Sequence, residues 1–266
     1  MSGRFYPADP AALAQAVRDL LAAVRAPAPS PARAALAPHA AFPHSGVTAA
    51  AVFARIALPR LVVILAPNHT GVCEARGGVS FWGAGAFHTP LGPIPVDEAL
   101  GDALLEASAL VAVDRAAHRA EHAVEVELPF LRHCRPDVAI VPLVLAWDAW
   151  ETAQSLGEAL ARVVAAWPEP VLLLASSDLN HYEPAAVSER KDAQALAAVR
   201  DLDGAELLAR CRREKISMCG RGPAATVLAA ARALGAARAD VVDYRHSGWS
   251  TGDDRAVVGY AGVVIP

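Results

Sequence analysis

The 266-residue sequence lacks several of the features that announce a function directly. It has four cysteines, at 73, 134, 211 and 219, and none are paired as CxxC. A zinc ribbon and a disulfide framework are therefore excluded, and a reducing cytoplasm is the expected setting. No apolar run approaches the ~18 residues that a membrane span needs. Met1 to Pro7 contains no apolar signal core. Positive charge is not in excess: 24 basic against 28 acidic residues gives −4 with neutral histidines. That balance argues against a nucleic-acid surface. The basic cluster Arg210-Cys211-Arg212-Arg213 lies among alanines and leucines and reads as a solvated helix face. Walker A, GxGxxG, HExxH and GxSxG patterns are all missing, so phosphate-loop nucleotide binding and serine hydrolysis have no support.

What the sequence does have is apolar content. Hydrophobic residues make up 54 %, enough for a large core. Continuous apolar runs at Leu61–Leu65, Val138–Leu145 and 170–175 read as strands covered on both faces. Helices are predicted between them. Asp9-Pro10 opens one, with Asp as N-cap and Pro in the first turn. Others are expected at 47–56, 96–107, 121–131, 149–166, 187–199 and 204–213, and from Pro223 to about Leu234. A glycine-rich β excursion covers 77–95, and late strands fall at 241–244 and 256–264. This alternation predicts an α/β fold: one domain over residues 1–266, a mainly parallel or mixed central sheet flanked by helices.

Three strands end in polar residues that a core would not choose. They close with Ala37-Pro38-His39, with Ala66-Pro67-Asn68-His69, and with Ser176-Ser177-Asp178-Leu179-Asn180-His181. The C-terminal ends of parallel strands are where an open sheet places its chemistry. His39 and His69 are 69 − 39 = 30 residues apart, about one βαβ unit, so their strands could be neighbours. Imidazole suits divalent first-row metals. Asp178 and His181, three apart, suit one helical turn: Asp178 could be only a cap, whereas His181 fits a general acid/base. Cys219 lies in a glycine-rich loop before a helix, a setting that stabilises a thiolate. His122 and Glu125 would share a helix face, either near a site or simply exposed. His44, His88, His118, His133 and His246 read singly as structural.

Together, Gly3-Arg4-Phe5-Tyr6-Pro7-Ala8-Asp9-Pro10, Ala37-Pro38-His39-Ala40, Pro67-Asn68-His69-Thr70, Glu121-His122-Ala123-Val124-Glu125, Ser176-Ser177-Asp178, His181, Cys219-Gly220-Arg221-Gly222-Pro223 and Gly259-Tyr260-Ala261-Gly262 resemble the Memo family. Its bacterial and archaeal members are also called AmmeMemoRadiSam system protein B. The resemblance implies the fold of class III extradiol ring-cleavage dioxygenases. It implies His39, His69 and Cys219 as metal ligands, with Fe(II) foremost and Cu or Zn as alternatives. It puts Asp178 and His181 in the same cavity as the acid/base pair, with His181 at the acid/base position. From their spacing His122 and Glu125 are expected as substrate contacts, and His44, where the chain departs from the family, as an extra polar group in the pocket. Radical SAM and AMMECR-type proteins are implied as pathway partners, and a small, possibly aromatic molecule as substrate. Three activities follow as expectations: an iron dioxygenase, a non-enzymatic iron or copper protein with redox or partner-binding roles, and, least supported, a zinc hydrolase. Ala41, Phe42 and His44 depart from the family's glycine and hydroxylated aromatics, and Glu127 stands where animal members have histidine.

Overall fold

The computed structural model describes residues 1–266. Its frame is one nine-stranded mixed sheet. Four parallel strands form the centre: β1 (Ala34–Ala37), β8 (Val171–Ser176), β2 (Leu61–Pro67) and β7 (Ala139–Leu145), side by side in that order. Every residue of these four strands is buried. Along β2 the side chains alternate between two cores. Leu61, Val63 and Leu65 face one, and Val62, Ile64 and Ala66 face the other. This is why the sequence shows an unbroken apolar run rather than an alternating one. Each buried Leu, Ile or Val contributes roughly 1.5–3 kcal/mol.

On one flank β11 (Val257–Ile265) pairs antiparallel with β1, and β10 (Asp240–His246) pairs with β11. On the other flank β3 (Val79–Phe81) runs antiparallel to β7, with β6 (Val111–Val113) parallel to β3. The glycine-rich excursion divides. β3 joins the main sheet, and β4 (Ala86–Thr89) with β5 (Gly92–Pro95) makes the hairpin. The helices are α1 (Pro10–Ala22), α2 (Phe42–Phe53), α3 (Glu98–Ala107), α4 (Leu128–Cys134), α5 (Trp150–Ala166), α6 (Ala185–Arg200), α7 (Gly204–Arg213), α8 (Arg221–Ala233) and the short α9 (Gly248–Thr251). Asp9 caps α1 as expected, accepting from the Ala12 N–H at 2.8 Å.

Four local expectations change. The strands of His39 and His69 are not neighbours, because β8 lies between them. The expected helix over 121–131 is broken. A 3-10 turn at Glu125–Glu127 precedes α4, which starts at Leu128 with Pro129 in its first turn. Proline has no N–H to give and its ring collides with the carbonyl four residues back, so a helix cannot pass through it undisturbed. Asp178 and His181 lie on no helix. His181 instead begins β9 (His181–Glu183), which pairs with β11. Finally, α2 starts at Phe42 rather than Val47. Pro43 is tolerated in a first turn, and Gly46 lets α2 pass close to α1, where a Cβ would sit 2.8 Å from Leu20 Cδ1.

Candidate metal centre

Strand order brings the three polar endings together. β8 places Ser176 beside β1, where Ala37 and Ser176 are in register. The loop after β1 carries His39 over this junction. Its backbone N–H donates to Asp178 Oδ1 at 2.9 Å, and its ring Nδ1 lies 2.8 Å from Ser176 Oγ. The loop after β2 carries His69, anchored by Glu121: the His69 N–H donates to Oε2 at 2.6 Å, and Nδ1 lies 2.8 Å from Oε1. Glu121 also accepts from the N–H groups of His122 (2.8 Å) and Ala123 (3.0 Å). With the turn so fixed, His122 stacks on His69 with ring centroids 4.6 Å apart.

The result is a trio. His39, His69 and His122 offer ligating nitrogens that all lie within 4.8 Å of one another. Each Nδ1 is turned away: to Ser176 for His39, to Glu121 for His69, and 3.3 Å from Glu121 for His122. Each Nε2 is thus left without an oxygen partner from these anchors, that of His39 lying beside the Cys219 sulfur. This donor set fits a transition metal, since neutral imidazoles with oriented Nδ1–H groups are its usual ligands.

Electrostatics keep two of the three imidazoles neutral. Burial, with the neighbouring His69, lowers the His39 pKa to about 3. Burial, with His39, lowers that of His122 to about 4. Burial alone would raise the Glu121 carboxyl, but hydrogen bonds and charge from His69, with the Ala123 and His69 N–H groups, hold it at about 2. Glu121 is therefore an anion beneath two imidazoles. Cys219 is close, its sulfur 3.3 Å from His39 Nε2, and it accepts from the Asp178 N–H at 3.3 Å. The thiolate expected beside a helix start is not favoured here. Burial and the Asp178 charge push the thiol well above its ordinary range. A bound cation would reverse this, because a coordinating thiol is deprotonated.

His181 lies on the same cleft. Its N–H donates to Ser217 Oγ at 2.8 Å and its Nδ1 sits 2.9 Å from the Ser217 carbonyl oxygen. A carbonyl only accepts, so Nδ1 carries the proton and Nε2 is free. Ser217 is itself held by Asn180 Oδ1, and the Asn180 N–H donates to buried Asp192. Asp178 is also buried, and that burial raises its pKa against the opposing charge of His181 and the His39 N–H. A cleft of about 680 Å³ is lined by His39, His69, His122, Asp178, His181 and Cys219, with Phe5, Val258 and Tyr260 as apolar surface. His44 lines it too and bonds Ser250 Oγ at 2.8 Å. Glu125 does not line it. Its carboxylate accepts from Tyr6 Oη at 2.6 Å, because the broken helix turns it away from His122.

Across its full length the sequence matches known proteins. A family model described as Memo-like protein matches residues 1–264. The chain belongs to the Memo family. A MEMO1 family protein of Aquifex aeolicus is 37 % identical over 266 residues, covering 100 % of this chain and 97 % of its own. One from Methanopyrus kandleri is 35 % identical, with 100 % and 97 % covered. One from Methanothermobacter thermautotrophicus is 34 % identical, with 98 % and 97 % covered. Among solved structures, an uncharacterized protein from Escherichia coli K12 superposes with a TM-score of 0.55 at 15 % identity, covering 86 % of this chain and 98 % of that one. At that identity the likeness is one of fold. No helix of this Memo protein is long and apolar enough to cross a membrane.

The low pKa values give a direct expectation. On titrating metal-free protein from pH 8 to 5, the His39 and His122 ring resonances should stay at their neutral positions in NMR. Ordinary titration near pH 6.5 at either ring would contradict the assigned burial. The linked stability has a defined sign. Unfolded imidazoles take up protons below about 6.5, so both residues lower stability as pH falls from there towards 4. Asp192, raised by burial to about 6, and Glu127, raised well above the usual range by burial, act oppositely as pH falls towards about 4. Bulk unfolding therefore blurs the effect, and ring resonances isolate it.

Proposed function

We propose that this Memo protein is a non-haem Fe(II)-dependent oxidoreductase acting on a small aromatic molecule. The observation that carries this reading is the convergence of three imidazoles, a thiol and a separate acid/base histidine on one cleft. His39, His69 and His122 would hold the ion, with Cys219 as the soft fourth donor. Bound there, Fe(II) would supply one-electron chemistry and open positions for dioxygen and substrate. The rest is done by side chains. Phe5 and Tyr260 offer aromatic surface to a flat ring. His181, with its Nδ1 proton fixed by the Ser217 carbonyl, presents a free Nε2 that can take a proton from a substrate hydroxyl. Asp178 holds the His39 backbone at the wall of the cleft. No lysine or arginine lines the cleft, which favours a substrate whose ring carries hydroxyls rather than carboxylates or phosphates.

Cys219 favours a second reading, a copper-binding redox protein without a substrate, because thiolate and imidazole together also suit copper. Oxygen uptake separates the two. Protein loaded with Fe(II) should consume oxygen with a simple catechol. His181→Asn should lose about a hundredfold or more of that rate with metal affinity unchanged. No uptake with any of a panel of hydroxylated aromatics, at full iron loading, would remove the enzyme and leave the second reading.

A further inference from the structure

His39 meets the cluster through Nε2, so the proton on its Nδ1 decides whether Nε2 is a lone pair or an N–H. Nδ1 rests against Ser176 Oγ, and that hydroxyl has two other neighbours. The Ala123 carbonyl oxygen is 2.7 Å away and Glu127 Oε1 is 2.9 Å away. Ser176 and Glu127 are 0 % and 1 % exposed, so bulk solvent does not reach the node. A hydroxyl has one proton to give and two lone pairs to offer. The Ala123 carbonyl can only accept, and no backbone N–H reaches it; it takes the serine proton. The other two neighbours must then both donate to Oγ. For His39 that donor is Nδ1–H. For Glu127 it is the O–H of a protonated carboxyl.

We propose that Glu127 is a neutral carboxylic acid and a positioning residue: through Ser176 it holds His39 as the Nδ1–H tautomer, with the Nε2 lone pair aimed at the cluster. The opposite bookkeeping fails twice. An ionised Glu127 taking the serine proton leaves the Ala123 carbonyl without a donor. It also buries a charge on a single neutral hydrogen bond, which is costly. Burial and the Asp178 charge both drive the Glu127 carboxyl towards its protonated form. Two of the three acids of the 121–127 segment, Glu121 and Glu127, thus do different work. Glu121 is an anion fixed by N–H groups, and Glu127 is an uncharged donor. Its signal in the sequence is an acid next to Val126 and Leu128, both buried, and unlike its neighbour Glu125 it is itself buried.

The inference rests on His39 being a ligand, and the test keeps the two apart. Two readouts need no metal. The infrared difference between wild type and Glu127→Gln at pH 8 should contain the carbonyl band of a protonated acid, and nitrogen-15 shifts should show His39 as the Nδ1–H tautomer. The third readout is Co(II) affinity. Gln keeps an N–H for Ser176, so Glu127→Gln should bind within about threefold of wild type, whereas Glu127→Leu should bind about 10- to 100-fold more weakly, with His39 in mixed tautomers. Absence of the protonated-acid band overturns the proposal. So does Glu127→Gln binding as weakly as Glu127→Leu, or Glu127→Leu matching wild type. If Glu127→Leu does not fold, the infrared and nitrogen-15 results decide. If wild type takes up no metal, the proposed metal site falls, while those two readouts still judge the state of Glu127.

Discussion

Glu121→Ala is expected to cost about 3–5 kcal/mol of folding stability and to weaken metal binding by about a hundredfold. The side chain is 1 % exposed, and its two oxygens accept from the backbone N–H groups of His69, His122 and Ala123. Removing it leaves these donors without partners, at about 1–3 kcal/mol each where water cannot reach. Partial relaxation of the two loops brings the sum down to the stated range. The same carboxylate orients the His69 ring and lies under that of His122, so two imidazoles lose their aim together. Glu121→Gln keeps one acceptor but sets an amide N–H against backbone N–H groups, and should fall between. Urea unfolding and Co(II) titration measure the two losses. A variant as stable as wild type would mean that these hydrogen bonds are replaced by water at no cost.

His39→Ala should lose metal affinity by about a hundredfold or more. Four-ligand structural sites hold their ion by about 10–16 kcal/mol, so one ligand is worth roughly 3–4 kcal/mol. Of the three imidazoles His39 is the most firmly placed, with its backbone held by Asp178 and its ring by Ser176. Cys219→Ala should differ in kind. Its sulfur is 3.3 Å from His39 Nε2 but outside the mutual set of imidazole nitrogens. Its removal should therefore cost less affinity and abolish the sulfur-to-metal charge-transfer absorption expected of the Co(II)-loaded wild type. Equal loss in His122→Ala and His39→Ala would establish three imidazoles as the holding set. If Cys219→Ala loses as much as His39→Ala, the thiol is a holding ligand rather than a fourth donor.

The fold was legible because burial on both faces leaves an unbroken apolar run, and the parallel strands carry such runs. His39 and His69 were legible as polar residues ending them. Their strands' separation was not, because adjacency depends on β8, which comes more than a hundred residues later in the chain. His122 was visible as a candidate, but its partner was mistaken. Helical spacing pairs it with Glu125, whereas Pro129 breaks that helix and the adjacent Glu121 becomes the anchor. Ser176 and Glu127 were visible but without a role, since a strand-end serine and a buried acid gain meaning only when β1, β8 and the 121–127 segment meet. Cys219 shows competing effects: a helix start lowers a thiol pKa, but here desolvation and Asp178 outweigh it.

The central claim is that His39, His69 and His122 form a metal centre. Anaerobic purification followed by Fe(II) titration tests it most directly, with wild type beside the His39→Ala/His69→Ala double variant. One equivalent of iron per chain in wild type, and none held by the folded double variant, is the expected result. Uptake by both proteins alike, or by neither, with Zn(II) and copper giving the same answer, would contradict it.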